Sequence, residues 1–164
     1  MHLANHEAFQ AYFYHYLVTE DYFECHEVLE ELWKEVAPRD KSHLLVAFIL
    51  VATSMYHWRR GNTKGATKSL TKALVLLEIN ASEVDSYVDS KKLEQQIQSK
   101  LIDISNEEAF SPVVFIVTSG TLAAAIEQFP EKQQVTDALI HRHTLRDRTE
   151  VIEARKQALH KRQR

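Results

Sequence analysis

The chain has 164 residues, of which 45% are hydrophobic and 26% charged, so it is long enough for one globular domain with a buried core. Three glycines and three prolines are too few for an all-β protein built on tight turns, and one cysteine, Cys25, excludes an internal disulfide. The net charge of −3 is unevenly spread: residues 141–164 hold eight Lys or Arg against three acids, which leaves −8 on residues 1–140.

The opening MHLANHEAF lacks the charged and apolar regions of a signal peptide, and the longest apolar run, Leu44 to Ala52, is too short to cross a bilayer. A cytoplasmic protein with no membrane insertion is the expectation.

In chain order, the first helix is expected over His2 to Leu17. The second starts at Thr19 or Asp21, where Asp21 and Glu24 have capping-box spacing, and ends before Pro38. The third runs from Asp40 to Arg60 and stops at Gly61-Asn62. The fourth, Thr63 to Ile79, carries the stripe Ala66, Leu70, Ala73, Leu74, Leu77. A fifth lies near Lys91 to Ile104.

Phe110 to Thr118, with Pro112 and many β-branched residues, reads as extended. Short helices are expected over Thr121 to Phe129 and Glu131 to His141, and a charged helix from Thr144 to the last residue. The fold class is all-α: a compact helical bundle around a central buried helix, the third, with a C-terminal extension. Residues 1–80 are expected to form the helical core domain and 81–164 an extension packed on it.

The residues of chemical interest are those out of place on the second helix. Laid out at about 100° per residue from Tyr22, the apolar side chains share one arc, and Glu24, Glu31 and Glu35 fall opposite. His26 falls near about 40° and Glu30 near about 80°, between Trp33 and Phe23, pointing inward or to the lip of a cleft. Glu27 lies at the boundary. His26 and Glu30 are four apart and can meet, and His57 is a second polar residue on an apolar face of the third helix.

Three readings stay open. The pair can simply fix the packing of two helices; His26, Glu30 and His57 can supply two imidazoles and a carboxylate to a divalent metal; or the same groups can line a small-ligand pocket or serve as acid and base. HEVLEELW lacks the second histidine of the metalloprotease motif, having Glu30 in its place, and Gly61 and Gly65 do not make a phosphate loop. Cys25 falls on the apolar arc, as inert core.

YFECHEVLEELWKE, followed about twenty residues later by MYHWRRGNTKGA, resembles domain-of-unknown-function family 309, small helical proteins of bacteria and archaea, over about residues 5–78. The resemblance implies that His26, Glu27, Glu30 and Trp33, then His57, Gly61, Asn62, Gly65 and Ala66, matter. It also implies a polar Gln where this chain has Leu50, so the inner site here is drier. The family carries no established activity.

In physical terms Gly61 can close one helix and Asn62 cap the next, with Gly65 a small residue at their shared turn. Phe23, Trp33, Glu27, Arg60 and Asn62 are expected around the cluster. Arg59 and Arg60, beside this turn, can face the acidic second helix or an anionic ligand, with simple solvated charge the reading carried forward.

A non-catalytic binding or interaction module, with a protein partner or a second copy as its target, is the function carried forward. The alternative is a protein, enzymes included, that binds a metal or small ligand through His26, Glu30 and His57. Third comes nucleic-acid association through residues 141–164, whose basic residues have no accompanying aromatics.

Overall fold

The computed structural model describes residues 2–129. The helices expected over 131–141 and 144–164, and the nucleic-acid segment 141–164, lie outside the described residues. Within 2–129 the fold is all-α and compact, and no helix is long and apolar enough to cross a membrane.

The first helix is not continuous from His2 to Leu17. A 3-10 turn at Leu3–Asn5 precedes α1 (Glu7–Tyr14), whose N-terminus is capped by His6, its Nδ1 accepting from the Ala8 N–H at 3.1 Å. After α1 the chain widens into a π-turn, His15–Thr19, and ends at Glu20 in the left-handed region, φ 54°. The Thr19 hydroxyl returns to the His15 carbonyl at 3.1 Å, so a side chain satisfies a backbone group that the widened turn shares.

Asp21 then caps α2 (Tyr22–Val36), its Oδ1 accepting from the Glu24 N–H at 3.0 Å. α3 (Leu44–Arg59) starts four residues later than expected. Arg39 adopts φ 70°, Asp40 Oδ1 accepts from the Ser42 N–H, and His43 is the cap, its Nδ1 accepting from the Leu45 N–H. Eleven of the sixteen α3 residues are buried, which makes it the central helix, packed between α2 and α4 (Thr63–Ile79).

A short helix the sequence reading lacks, α5 (Ala81–Val84), leads to α6 (Ser90–Ser105), which packs on α4. Residues 110–118 are extended, with one antiparallel bridge between Val88 and Val117. α7 (Gly120–Gln128), capped by Ser119, returns to α1.

One core joins these elements. Phe9, Tyr12, Phe13 and Phe48 form an edge-to-face cluster that Phe115 of the extended segment enters, its ring 5.2 Å from Phe13 and 5.6 Å from Phe48. Burying such rings stabilises the fold by about 1.5–3 kcal/mol each before any aromatic pairing. Alternation decides which residues of the segment enter: Val113 and Phe115 are buried, Val114 and Ile116 exposed.

Candidate functional site

α2 and α3 lie side by side, and between them opens a cleft of about 160 Å³ lined by Tyr22, Phe23, His26, Thr53, Tyr56 and His57. The helical repeat explains the set. Tyr22, Phe23 and His26 are one turn of α2, and Thr53, Tyr56 and His57 are one turn of α3. The lining is mostly aromatic carbon. The Thr53 hydroxyl donates to the Ile49 carbonyl of its own helix at 2.9 Å.

His26 sits at the lip with its side chain 36% exposed, so it is half-buried rather than interior. Nε2 lies 3.1 Å from Glu30 Oε2 and Nδ1 lies 3.5 Å from Glu27 Oε1. Glu30 turns its other oxygen to Lys34 Nζ at 3.1 Å and does not line the cleft. Both imidazole nitrogens of His26 therefore already face carboxylates on its own helix.

His57 is placed by the turn that follows it. Gly61, φ 88°, closes α3 with the Gly61 N–H on the Trp58 carbonyl and the Asn62 N–H on the His57 carbonyl, a Schellman arrangement. Asn62 Oδ1 accepts from the Gly65 N–H at 3.0 Å and caps α4. That bond leaves the Asn62 amide nitrogen on the other side, 3.2 Å from His57 Nδ1. Nδ1 must accept, so neutral His57 carries its proton on Nε2. Burial, then the charge of Arg60, lowers the His57 pKa from 6.5.

The structure brings His26, His57 and Phe23 together at the cleft and leaves the other sequence candidates around it. Glu27 flanks His26, and Arg60 lays its guanidinium 5.3 Å from the Tyr56 ring. Trp33 is elsewhere: its Nε1 donates to the Asp40 carbonyl at 2.9 Å and pins the α2–α3 connection. Among the described residues no three His, Cys, Asp or Glu side chains are grouped to hold a metal ion. Cys25 is buried, its Sγ donating to the Tyr12 carbonyl, and burial pushes the thiol pKa up, which opposes a nucleophilic role.

Tyr22, Thr53 and Tyr56 are site residues that sequence reasoning passes over, legible only once α2 is laid against α3. Arg59 is not simple solvated charge. Its guanidinium carbon lies 4.5 Å from the Tyr22 ring centroid, and Nη1 donates to the Glu20 carbonyl at 2.8 Å. Arg59 Nε, Arg59 Nη2 and Tyr22 Oη are buried with no hydrogen-bond partner among the described residues. Each such group costs about 1–3 kcal/mol if left unpaired.

The family model for the Domain of unknown function (DUF309) matches residues 9–69, from α1 into α4. Uncharacterized protein YpuF of Bacillus subtilis (strain 168) is 32% identical over 166 residues, covering 95% of each chain. No solved structure matches. A matched model that takes in both motifs, with a relative similar along almost the whole length, shows that the chain belongs to the DUF309 family.

Proposed function

We propose that this protein is a non-catalytic binding module whose α2–α3 cleft accepts one small, largely apolar group, such as a ring or a single side chain of a partner. The cleft carries this reading. Its volume of about 160 Å³ is close to the roughly 150 Å³ of an apolar cavity that takes up benzene. Its walls are Phe23, Tyr22 and Tyr56, and His57, also in the lining, is the polar group that can favour a ligand bearing an acceptor. The polar groups of two lining residues are engaged elsewhere: Thr53 with its own helix, and His26 with Glu27 and Glu30.

We divide the chain into a core of residues 1–80 and an extension of 81–164, of which the described part, residues 81–129, packs on the core. The support is that the family match ends at residue 69 and that Phe115 enters the core as a separate element. A cytoplasmic location belongs to this reading, supported by a single cysteine held as a buried thiol.

The test is a titration of the full chain with benzyl alcohol, observed at the imidazole signals of His26 and His57 by NMR. Saturable shifts at both rings with one shared Kd are expected, and a Thr53→Phe substitution that fills the cleft abolishes them. Shifts spread over the surface without saturation sink the reading.

A further inference from the structure

Arg59 divides its donors unequally. Nη1 is used by the Glu20 carbonyl at 2.8 Å, while Nε–H and Nη2–H, which lie along one edge of the planar guanidinium with parallel N–H bonds, are buried without partners among the described residues. That edge is the one that receives both oxygens of a carboxylate. Tyr22 Oη is the third buried group in the same condition, on the ring over which the guanidinium lies. Buried polar groups in native proteins are nearly always satisfied, so three together on two touching residues mark a place where something binds.

We propose that the Nε–Nη2 edge of Arg59 and the Tyr22 hydroxyl form an oxyanion subsite for the carboxylate of a small apolar acid whose body occupies the α2–α3 cleft. The proposal rests on the cleft reading above and names the ligand class. Tyr22 connects the two halves, because it lines the cleft and also lies under Arg59. Charge favours a monoanion. A single guanidinium close to Glu20 and the buried Asp21 has one positive charge to offer, which suits a carboxylate better than a phosphate dianion. Shape agrees, since a planar two-oxygen group matches the fork and about 160 Å³ suits a ring beside it. The three atoms are enclosed, and Tyr22 is the residue they share with the cleft lining, so entry of the acid requires side-chain motion there that keeps the hydroxyl beside Arg59.

The experiment titrates the full chain with benzoate, benzyl alcohol and formate, reading the Arg59 side-chain Nε–Hε signal and the His26 and His57 rings by NMR. Benzoate is expected to move all three and to bind at least tenfold more tightly than benzyl alcohol. Arg59→Lys, which keeps the charge and loses the fork, cuts that preference at least tenfold, and Tyr22→Phe, which keeps the ring, reduces it severalfold. If benzyl alcohol binds but benzoate binds no better and Arg59 Hε stays still, the subsite is overturned while the cleft reading survives. If neither aromatic probe reaches the histidines, the cleft reading fails and formate decides the subsite: a saturable Hε shift supports it and none overturns it. A bound water at Arg59 Hε that formate does not displace also overturns it. The wild-type titrations stand even where a variant does not fold.

Discussion

Asn62 holds His57 twice: its backbone N–H donates to the His57 carbonyl at 2.8 Å, and its side-chain nitrogen lies 3.2 Å from His57 Nδ1. The amide cannot be turned over, because Oδ1 is needed by the Gly65 N–H. Protonating His57 sets an Nδ1–H against the Asn62 amide N–H, and burial and Arg60 oppose the charge as well.

The pH dependence follows. A histidine whose folded pKa lies below 6.5 takes up protons more readily when unfolded, so its contribution to stability is complete above 6.5 and is lost as pH falls through the folded value. We expect an NMR titration midpoint for His57 below 6.5, the Nε2–H tautomer at neutral pH, and a smaller acid loss of Tm in His57→Gln. A midpoint at or above 6.5, or an Nδ1–H tautomer, contradicts the arrangement.

Gly65 provides a second test, in which the alanine gain that helix propensity suggests is offset. An added Cβ there lies 2.6 Å from Asn62 Nδ2 and 3.0 Å from its Cγ. Alanine in a helix is worth about 1 kcal/mol over glycine, but displacing an Asn cap costs about 0.5–2 kcal/mol. Gly65→Ala is therefore expected to be neutral or destabilising in urea unfolding and to move the His57 signals. In an Asn62→Ala background, where the clash is gone, the same change stabilises by about 1 kcal/mol. Equal effects in both backgrounds rule the clash out.

What could be read in advance depends on how local the cause is. Asp21 and Asn62 are legible as caps because the bonds they make span three residues, to Glu24 and Gly65. The burial of α3 shows in its apolar letters on every side. The π-turn at His15–Thr19 has no such signature, since one widened turn leaves the apolar spacing of α1 almost unchanged. Arg59 is the strongest case. Its letter is the same whether it lies in water or over Tyr22, and only the packing of α2 on α3 distinguishes the two. The cleft likewise depends on Thr53 and Tyr56 facing Tyr22 and Phe23, a pairing across about thirty residues that periodicity cannot assign.

His26 is the residue whose weight the structure reduces. Its links to Glu30 and Glu27 join side chains more than a third exposed, where an i, i+4 ion pair contributes about 0.3–0.5 kcal/mol. His26→Ala is expected to lower stability by under about 1 kcal/mol in urea unfolding. Elemental analysis of untagged protein is expected to find no stoichiometric metal in wild type or variant, because among the described residues no three ligand side chains are grouped to hold an ion and His57 Nδ1 is engaged by Asn62. One equivalent of metal in wild type that His26→Ala lacks while still folded revives the metal reading.

The extended segment offers a comparison of one bond inside with two outside. Tyr16 Oη donates to the Val113 carbonyl at 2.6 Å in the interior. One residue on, the Gln96 side chain stands in for a neighbouring strand, its Nε2 donating to the Val114 carbonyl at 2.6 Å and its Oε1 accepting from the Val114 N–H at 2.8 Å. Water can replace Gln96 at that exposed position but cannot reach Val113. Tyr16→Phe is expected to cost about 1–3 kcal/mol, since it leaves a buried carbonyl unpaired. Gln96→Ala should cost less than about 1 kcal/mol, yet speed amide exchange at Val114 without changing exchange in α3. Equal global losses from the two variants mean that the surface clamp, rather than the buried tyrosine, secures Phe115 in the core.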